Sequence, residues 1–238
     1  MAMGILAGLS LLLVAWWATH TWRGERRRAR WAAAPFPPAW RRILRRRVPL
    51  AASLPVPLQL RLKGLIQSFL AEVPIIGCAG LNVTDEMRVT IAAQAALLLL
   101  GRQVNTAPAS HFPNLRQVLL YPGSFVVDRP ATQAGGVQQE QRRALAGESW
   151  QQGQVILSWE AVREGADIPD DGQNVVLHEF AHQLDQETGP ANGAPLLPGA
   201  VHARQWAQVL SAAFAELQRR LAQDIPSCLG AYAATSEA

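Results

Sequence analysis

Residues 175–185 read VVLHEFAHQLD, and the rest of the chain is interpreted around this stretch. It contains His-Glu-x-x-His, with His178 and His182 four positions apart. On an α-helix, side chains four apart lie one above the other on the same face, so both imidazoles can bind one metal ion. Glu179 follows the first histidine and can reach a water in the open coordination position. The spacing predicts a zinc hydrolase site rather than two histidines placed by chance on an amphipathic helix.

The residues around this motif predict a buried helix. Its apolar positions are Val175, Val176, Phe180, Ala181 and Leu184. The acidic run Asp170-Asp171-Gly172 predicts where the helix begins. Asp185, three residues after His182, can orient a ligand imidazole through a hydrogen bond, and a surface charge at the helix end fits the pattern equally well.

The basic character of the chain is confined to its N-terminal part. The 238 residues carry 22 Lys and Arg against 18 Asp and Glu, a net charge of +4. Ten arginines lie between Arg23 and Arg47, which leaves 12 basic against 17 acidic residues from Val48 onward. The folded part is therefore acidic, and we expect no direct contact with nucleic acid. Two cysteines, Cys78 and Cys228, form no disulfide framework and indicate a reducing compartment.

An uncharged, leucine-rich run extends from Ala2 to Thr19. It is just long enough to cross a hydrocarbon core of ~30 Å at ~1.5 Å per residue. A signal peptide would carry Lys or Arg before the apolar run, and here there is none. The arginines all follow the run, and they predict that its C-terminal side lies in the cytoplasm. A buried core helix is the alternative. We predict a transmembrane anchor at 1–22, an Arg/Pro-rich linker along anionic headgroups at 23–47, and a peptidase domain at 48–238. The location is then the bacterial inner membrane, single-pass, with the catalytic domain in the cytoplasm.

Patterns in residues 48–238 predict an α+β domain that is mostly helical, with a small mixed sheet. Helices are predicted over 58–72, from the N-cap Thr84 to Leu100, and over 201–222. Strands are predicted at 118–121, 125–127 and 155–159, and the last is a candidate edge strand for binding substrate backbone. The stretch 129–148 is predicted to be loop. The predicted buried face of the last helix comprises Trp206, Val209, Leu210, Ala213, Phe214, Leu217 and Leu221.

A catalytic zinc ion needs a third protein ligand. The metzincin spacing places a histidine six residues past His182, where this chain has Thr188, so that class is excluded. The remaining candidate donors are Glu187, Glu216, His202 and His111. The two glutamates can equally be solvated charges on a helix face, and the two histidines can equally be structural side chains.

Several separated motifs resemble the Mlc titration factor A family. They are HEFAHQLD at 178–185, YP at 121–122 with FVV at 125–127, ESWQQG at 148–153 and YAAT at 232–235, within a likeness that covers residues 43–238. The resemblance implies a zinc-dependent peptidase with a zincin-like domain similar to that of anthrax lethal factor. It implies that His178 and His182 bind Zn²⁺ with a glutamate four residues after Thr235, one position past Ala238. The domain in this chain would then be C-terminally incomplete, and Glu237 falls on a different helical face.

The resemblance also implies that Tyr232 faces the metal, where its hydroxyl can stabilise an oxyanion; a buried core tyrosine is the alternative. We expect a membrane-anchored zinc metallopeptidase that cleaves a peptide or protein substrate, with Glu179 as general base and acid. Because the family name refers to capture of the repressor Mlc, the rival hypothesis is a regulatory module that binds an Mlc-like repressor. A third hypothesis is an inactive remnant. Unlike the soluble enteric members, this chain carries the apolar run at 2–19.

Overall fold

The structure is a computed structural model that describes residues 16, 23–102, 111–132, 138–145, 147–150, 153–168, 173–189, 193–227, 229 and 231–234. Apart from Trp16, the predicted anchor at 1–22 lies outside these residues. Within them, no helix combines the length and the apolar character needed to cross a membrane.

Helices come first and last in the described chain, and most of the strands lie together between them. The elements are α1 (23–33), α2 (Pro38–Arg47), α3 (Leu50–Ser53), α4 (Val56–Glu72), β1 (Ile75–Gly77), α5 (Asp85–Leu97), β2 (Gln117–Tyr121), β3 (Phe125–Thr132), β4 (Gln138–Leu145), β5 (Gly147–Trp150), β6 (Gln154–Ser158), α6 (Trp159–Asp167), α7 (Val175–Asp185) and α8 (Ala200–Ala222). A single 3₁₀ turn follows α7 at Gln186–Thr188, and another follows α8 at Ala231–Ala234. The described part of the chain is therefore mostly helical, as the sequence predicts.

A four-stranded sheet in the order β1-β2-β6-β5 carries the domain. The first three strands are parallel, with Ile75 opposite Val118 and Val118 opposite Val155. β5 runs antiparallel to β6 and closes one edge, with Gly147 opposite Leu157. Val118, Val155 and Leu157 are fully buried, as expected for strands that helices cover. The sheet is small and mixed, in agreement with the predicted fold class.

Two sequence-based expectations about this sheet are wrong. The stretch 129–148 is not loop, because most of it forms the antiparallel hairpin β3–β4 and the start of β5. The sequence of β4, QQEQRRAL, has no apolar alternation, so only its pairing with β3 identifies it as a strand. The predicted edge strand is also misplaced. β6 lies inside the sheet between β2 and β5, and β5 is the edge strand.

The segment predicted as a linker is folded onto the domain where it is described. α1 contacts α4, since Arg28 pairs with Glu72 at 2.9 Å and Gly64 lies against Ala32. Phe36 and Leu44 are buried within the main hydrophobic core. Residues 23–47 therefore contain two helices that pack with the domain. The predicted boundary at Val48 stays a prediction.

α8 spans nearly the residues that its periodicity predicts, but its predicted buried face is largely exposed. Only Leu217 is buried, while Trp206 and Val209 are 42% and 71% exposed. Periodicity identifies an apolar face, and the described part of the chain leaves most of that face in contact with solvent.

Candidate metal centre and active site

The helix that carries His-Glu-x-x-His, α7, begins where the amide of Asn174 meets the buried amide of Gln94. Asn174 accepts the backbone N–H of Leu177 through Oδ1 at 2.9 Å, which caps the helix. Its Nδ2 donates to Gln94 Oε1 at 2.6 Å and to the carbonyl oxygen of Gly165 at 2.9 Å. The predicted start at 170–172 lies outside the described residues, and the observed N-cap is Asn174. This cap fixes α7 to α5 and α6.

The inner face of α7 packs through aromatic rings. The Phe180 ring centroid lies 5.0 Å from that of Phe112 and 5.6 Å from that of Phe69, and the last two rings are 6.0 Å apart. All three side chains are almost completely buried. Rings at such separations attract each other beyond the burial of their apolar area. The opposite face of α7 therefore presents the histidines from a rigid support.

The two histidines converge as the sequence predicts. Their Nε2 atoms are 3.3 Å apart, and the ring planes are inclined by 85°. Two nitrogens that each lie ~2.0–2.1 Å from one tetrahedral zinc ion are about 3.3–3.4 Å apart. The separation between His178 and His182 therefore fits a shared metal ion.

The charge state of the first histidine also suits a metal ligand. Partial burial, and then the neighbouring His182, lower the pKa of His178 below its usual value. A lowered pKa keeps the imidazole neutral near pH 7, and only the neutral ring has a lone pair for a metal.

Glu179 lies on the side of α7 that faces the edge strand. It is only 6% exposed, and its carboxylate lies against Gly147 at the start of β5. A carboxylate next in sequence to a metal-binding histidine can take part in proton transfer. The structure thus brings Glu179, His178 and His182 together on one helix.

Asp185 is buried rather than at the surface. It is 8% exposed, and its Oδ2 accepts the backbone N–H of Gly193 at 2.9 Å. The carbonyl oxygen of Gly193 in turn accepts Nε1–H of Trp206 at 2.7 Å. The interpretation as an exposed terminal charge is therefore wrong, because Asp185 links the loop after α7 to α8. Its role towards an imidazole stays a prediction.

Two candidate third ligands have other partners. Glu187 forms a two-pronged ion pair with Arg102, both contacts being 2.7 Å, and its side chain is 3% exposed. It is therefore neither a solvated charge nor directed at the histidines. Glu216 pairs with Arg219 and Arg220, which lower its pKa to about 2.

The other candidates add no third ligand. His202 Nδ1 lies 2.8 Å from the carbonyl oxygen of Pro198, and His111 is half-buried near several arginines. Across the described residues, no three His, Cys, Asp or Glu side chains come together as a metal site. Tyr232 lies in a described 3₁₀ turn, but its side chain and residues 235–238, with Glu237, lie outside the description.

Three residues that position the site were not predicted from the sequence. Asn174 precedes an apolar helical run and carries an ordinary N-cap signal, which the acidic run upstream obscured. Gly147 is the first residue of β5, and a glycine in a strand often indicates a close backbone approach. Gln94 carried no local signal, because its partner Asn174 is 80 positions away along the chain.

Comparisons with known proteins agree with this geometry. A sequence profile described as glucose-regulated metallo-peptidase M90 matches residues 21–238. An uncharacterised protein of Synechocystis is 36% identical over 203 residues, which is 85% of this chain and 72% of that protein. The protein named Mlc titration factor A is 33% identical in Escherichia fergusonii, over 87% of this chain and 77% of the relative. Its namesake in Salmonella gallinarum is 32% identical, over 80% of this chain and 70% of the relative. With the paired histidines of α7, these matches show that the chain belongs to the glucose-regulated metallo-peptidase M90 family, which includes Mlc titration factor A.

Proposed function

We propose that this protein hydrolyses peptide bonds, with His178 and His182 holding Zn²⁺ and Glu179 serving as general base and acid. The observation that carries the proposal is the 3.3 Å separation of the two Nε2 atoms on the helix that also bears the buried Glu179. A divalent metal, typically zinc, belongs to this peptidase family as a class. When bound, zinc supplies a Lewis acid that polarises the scissile carbonyl group and lowers the pKa of water.

The side chains supply proton transfer and orientation. The carboxylate of Glu179 accepts the proton of the attacking water and then delivers it to the nitrogen of the leaving amine. The outer edge of β5 has no strand partner among the described residues, so its backbone can pair with an extended peptide beside α7. Tyr232 is proposed to stabilise the oxyanion, and Asp185 to orient an imidazole, as the sequence suggests.

Glu179→Gln tests the role of the carboxylate. The amide keeps the shape of the side chain but cannot accept the proton, so we expect kcat to fall by about 10²–10⁴-fold while zinc content stays unchanged. The matched control is Glu164→Gln on the exposed face of α6, which should leave both quantities at the wild-type level. Peptide hydrolysis and bound zinc per chain are measured on the full chain. Normal turnover by the Glu179 variant would exclude this mechanism.

A second function, binding of a transcriptional repressor, is favoured by the name that two relatives share, Mlc titration factor A. We propose it as the alternative in which the zinc site is secondary. His178→Ala separates the two, because loss of one ligand should abolish metal binding and hydrolysis together. Undiminished binding of an Mlc-like repressor by that variant, measured by calorimetry, would support the binding module.

We also propose the location predicted from the sequence, a single-pass inner-membrane anchor with the domain in the cytoplasm. It rests on the uncharged run Ala2–Thr19 and on eight exposed arginines that follow it in α1 and α2. These arginines are Arg23, Arg26, Arg27, Arg30, Arg41, Arg42, Arg45 and Arg46. Membrane fractionation of the full chain tests the anchor, and recovery in the soluble fraction would reject it.

A further inference from the structure

We propose that Gly147 is a positioning residue of this site: its missing side chain leaves the space in which the Glu179 carboxylate stands. The inference rests on the proposed role of Glu179 and extends it to the edge strand. Gly147 begins β5, where the strand crosses α7, and no ligand or metal needs to be present for the contact to exist.

The space at this position is too small for any side chain. A Cβ placed on Gly147 would lie 2.4 Å from Cγ2 of Val175, 2.8 Å from Oε1 of Glu179 and 2.9 Å from Cγ of Glu179. These separations are well below the ~3.5–4.0 Å at which non-bonded carbon atoms make favourable contact. The backbone of Gly147 is not in the left-handed region, so glycine is needed here for space and not for conformation.

The two side chains that meet Gly147 both come from α7. Val175 and Glu179 are four positions apart, so they lie on one face of the helix, and both meet the position that a Cβ on Gly147 would take. A β-branched valine has one strongly preferred rotamer in a helix, so Val175 cannot readily turn away. The Glu179 side chain is unbranched and can rotate.

The two backbones that carry these groups are fixed independently. α7 is fixed by the Asn174 cap and by the packing of Phe180. β5 is fixed by its antiparallel pairing, with Gly147 opposite the buried Leu157. An added methyl group therefore acts on two things at once: it presses on Val175, which strains the packing, and it displaces the carboxylate of Glu179.

A displaced carboxylate has a chemical consequence. Proton transfer requires about 2.6–3.2 Å between the heavy atoms, and a shift of about 1 Å in a catalytic group can cost ~10²-fold in rate. Substrate binding along the outer edge of β5 uses backbone groups, which the methyl group leaves in place. Gly147→Ala should therefore lower kcat and leave KM nearly unchanged.

The test uses four forms of the full chain: wild type, Gly147→Ala, Val175→Ala and the double variant. We expect Gly147→Ala to lower both Tm and kcat, the latter by about tenfold or more. Val175→Ala removes the closest contact of the added methyl group but not its contact with Glu179. In the Val175→Ala background, Gly147→Ala should therefore lower Tm by less than it does in wild type, because only the contact with Glu179 remains, while kcat stays low. Gly101→Ala is the control, because an added Cβ there meets nothing within 4 Å, and its Tm, zinc content and kcat should match wild type.

A purely structural role gives a different result. If kcat recovers together with Tm in the double variant, or if Gly147→Ala keeps wild-type kcat, the inference is overturned while the proposed function stands.

A second measurement needs no activity. In metal-free protein, the loss of Tm caused by Gly147→Ala should be smaller in a Glu179→Ala background, because that background lacks the Cγ and Oε1 atoms that meet the methyl group. Equal losses in both backgrounds overturn the contact. If the loss of Tm is smaller in the Glu179→Ala background but the wild-type protein hydrolyses no peptide, the contact between Gly147 and Glu179 stands and the proposed function is rejected.

Discussion

Asn174→Asp tests how the metal-binding helix is held. The carboxylate can still cap the N–H of Leu177, because aspartate is a good N-cap residue. It cannot donate the two hydrogen bonds that Asn174 gives to Gln94 at 2.6 Å and to Gly165 at 2.9 Å. A buried acceptor that loses its donor costs about 1–3 kcal/mol. Two such acceptors predict a loss of about 2–6 kcal/mol in the free energy of unfolding at pH 7.

Urea denaturation measures this loss against Asn114→Asp. Asn114 makes one exposed hydrogen bond of 3.3 Å to the carbonyl oxygen of Gln186, so its variant should stay within about 0.5 kcal/mol of wild type. In Asn174→Asp the new carboxyl faces two oxygens, which raises its pKa in the folded state above the unfolded value of about 3.9. The deficit is then small below the unfolded pKa and grows as pH rises through the folded pKa. If Asn174→Asp loses no more stability than Asn114→Asp, or if its loss stays unchanged on acidification, the two donated hydrogen bonds do not hold α7 in place.

Two further predictions concern groups beside the site. Arg102→Met leaves the buried carboxylate of Glu187 unpaired and should cost about 3–5 kcal/mol in urea denaturation, and adding Glu187→Leu should restore most of it. If both variants are equally unstable, the ion pair is not the cause. Burial, and then Arg28, Arg102 and Arg61, lower the pKa of His111, so the unfolded chain binds its proton at higher pH than the folded protein. Stability should therefore fall as pH decreases below about 6.5, by at most about 1.4 kcal/mol per pH unit. His111→Gln should flatten that part of the stability curve, and an unchanged slope would contradict this.

Local signals predicted much of what is observed in the helices. Thr84 accepts the N–H of Met87 as the predicted N-cap of α5, and α8 spans the predicted residues within one position. The convergence of His178 and His182 followed from spacing alone. In each case the deciding interaction joins residues three or four apart, which a sequence window contains.

Other features depend on partners far apart in the chain. β4 is a strand because β3 pairs with it, and neither its composition nor its periodicity indicates this. Gly147 meets Glu179, and Gln94 meets Asn174, only after the sheet and helices have packed. The apolar positions of α8 show the reverse case, because Trp206 and Val209 satisfy the helical period and are nevertheless exposed. Periodicity indicates which face is apolar and does not identify what covers it.

The parallel sheet has a consequence for the order in which the molecule folds. Ile75 must find Val118, and Val118 must find Val155, so each pairing closes a long loop before it contributes contacts. Such non-local pairing is slow. On a ribosome that adds about 5–20 residues per second, β2 cannot complete its pairing until β6 has emerged. α7 follows β6 in the chain and packs against the strand next to it. We therefore expect the histidines to dock onto an assembled sheet, which makes metal capture one of the last events of folding.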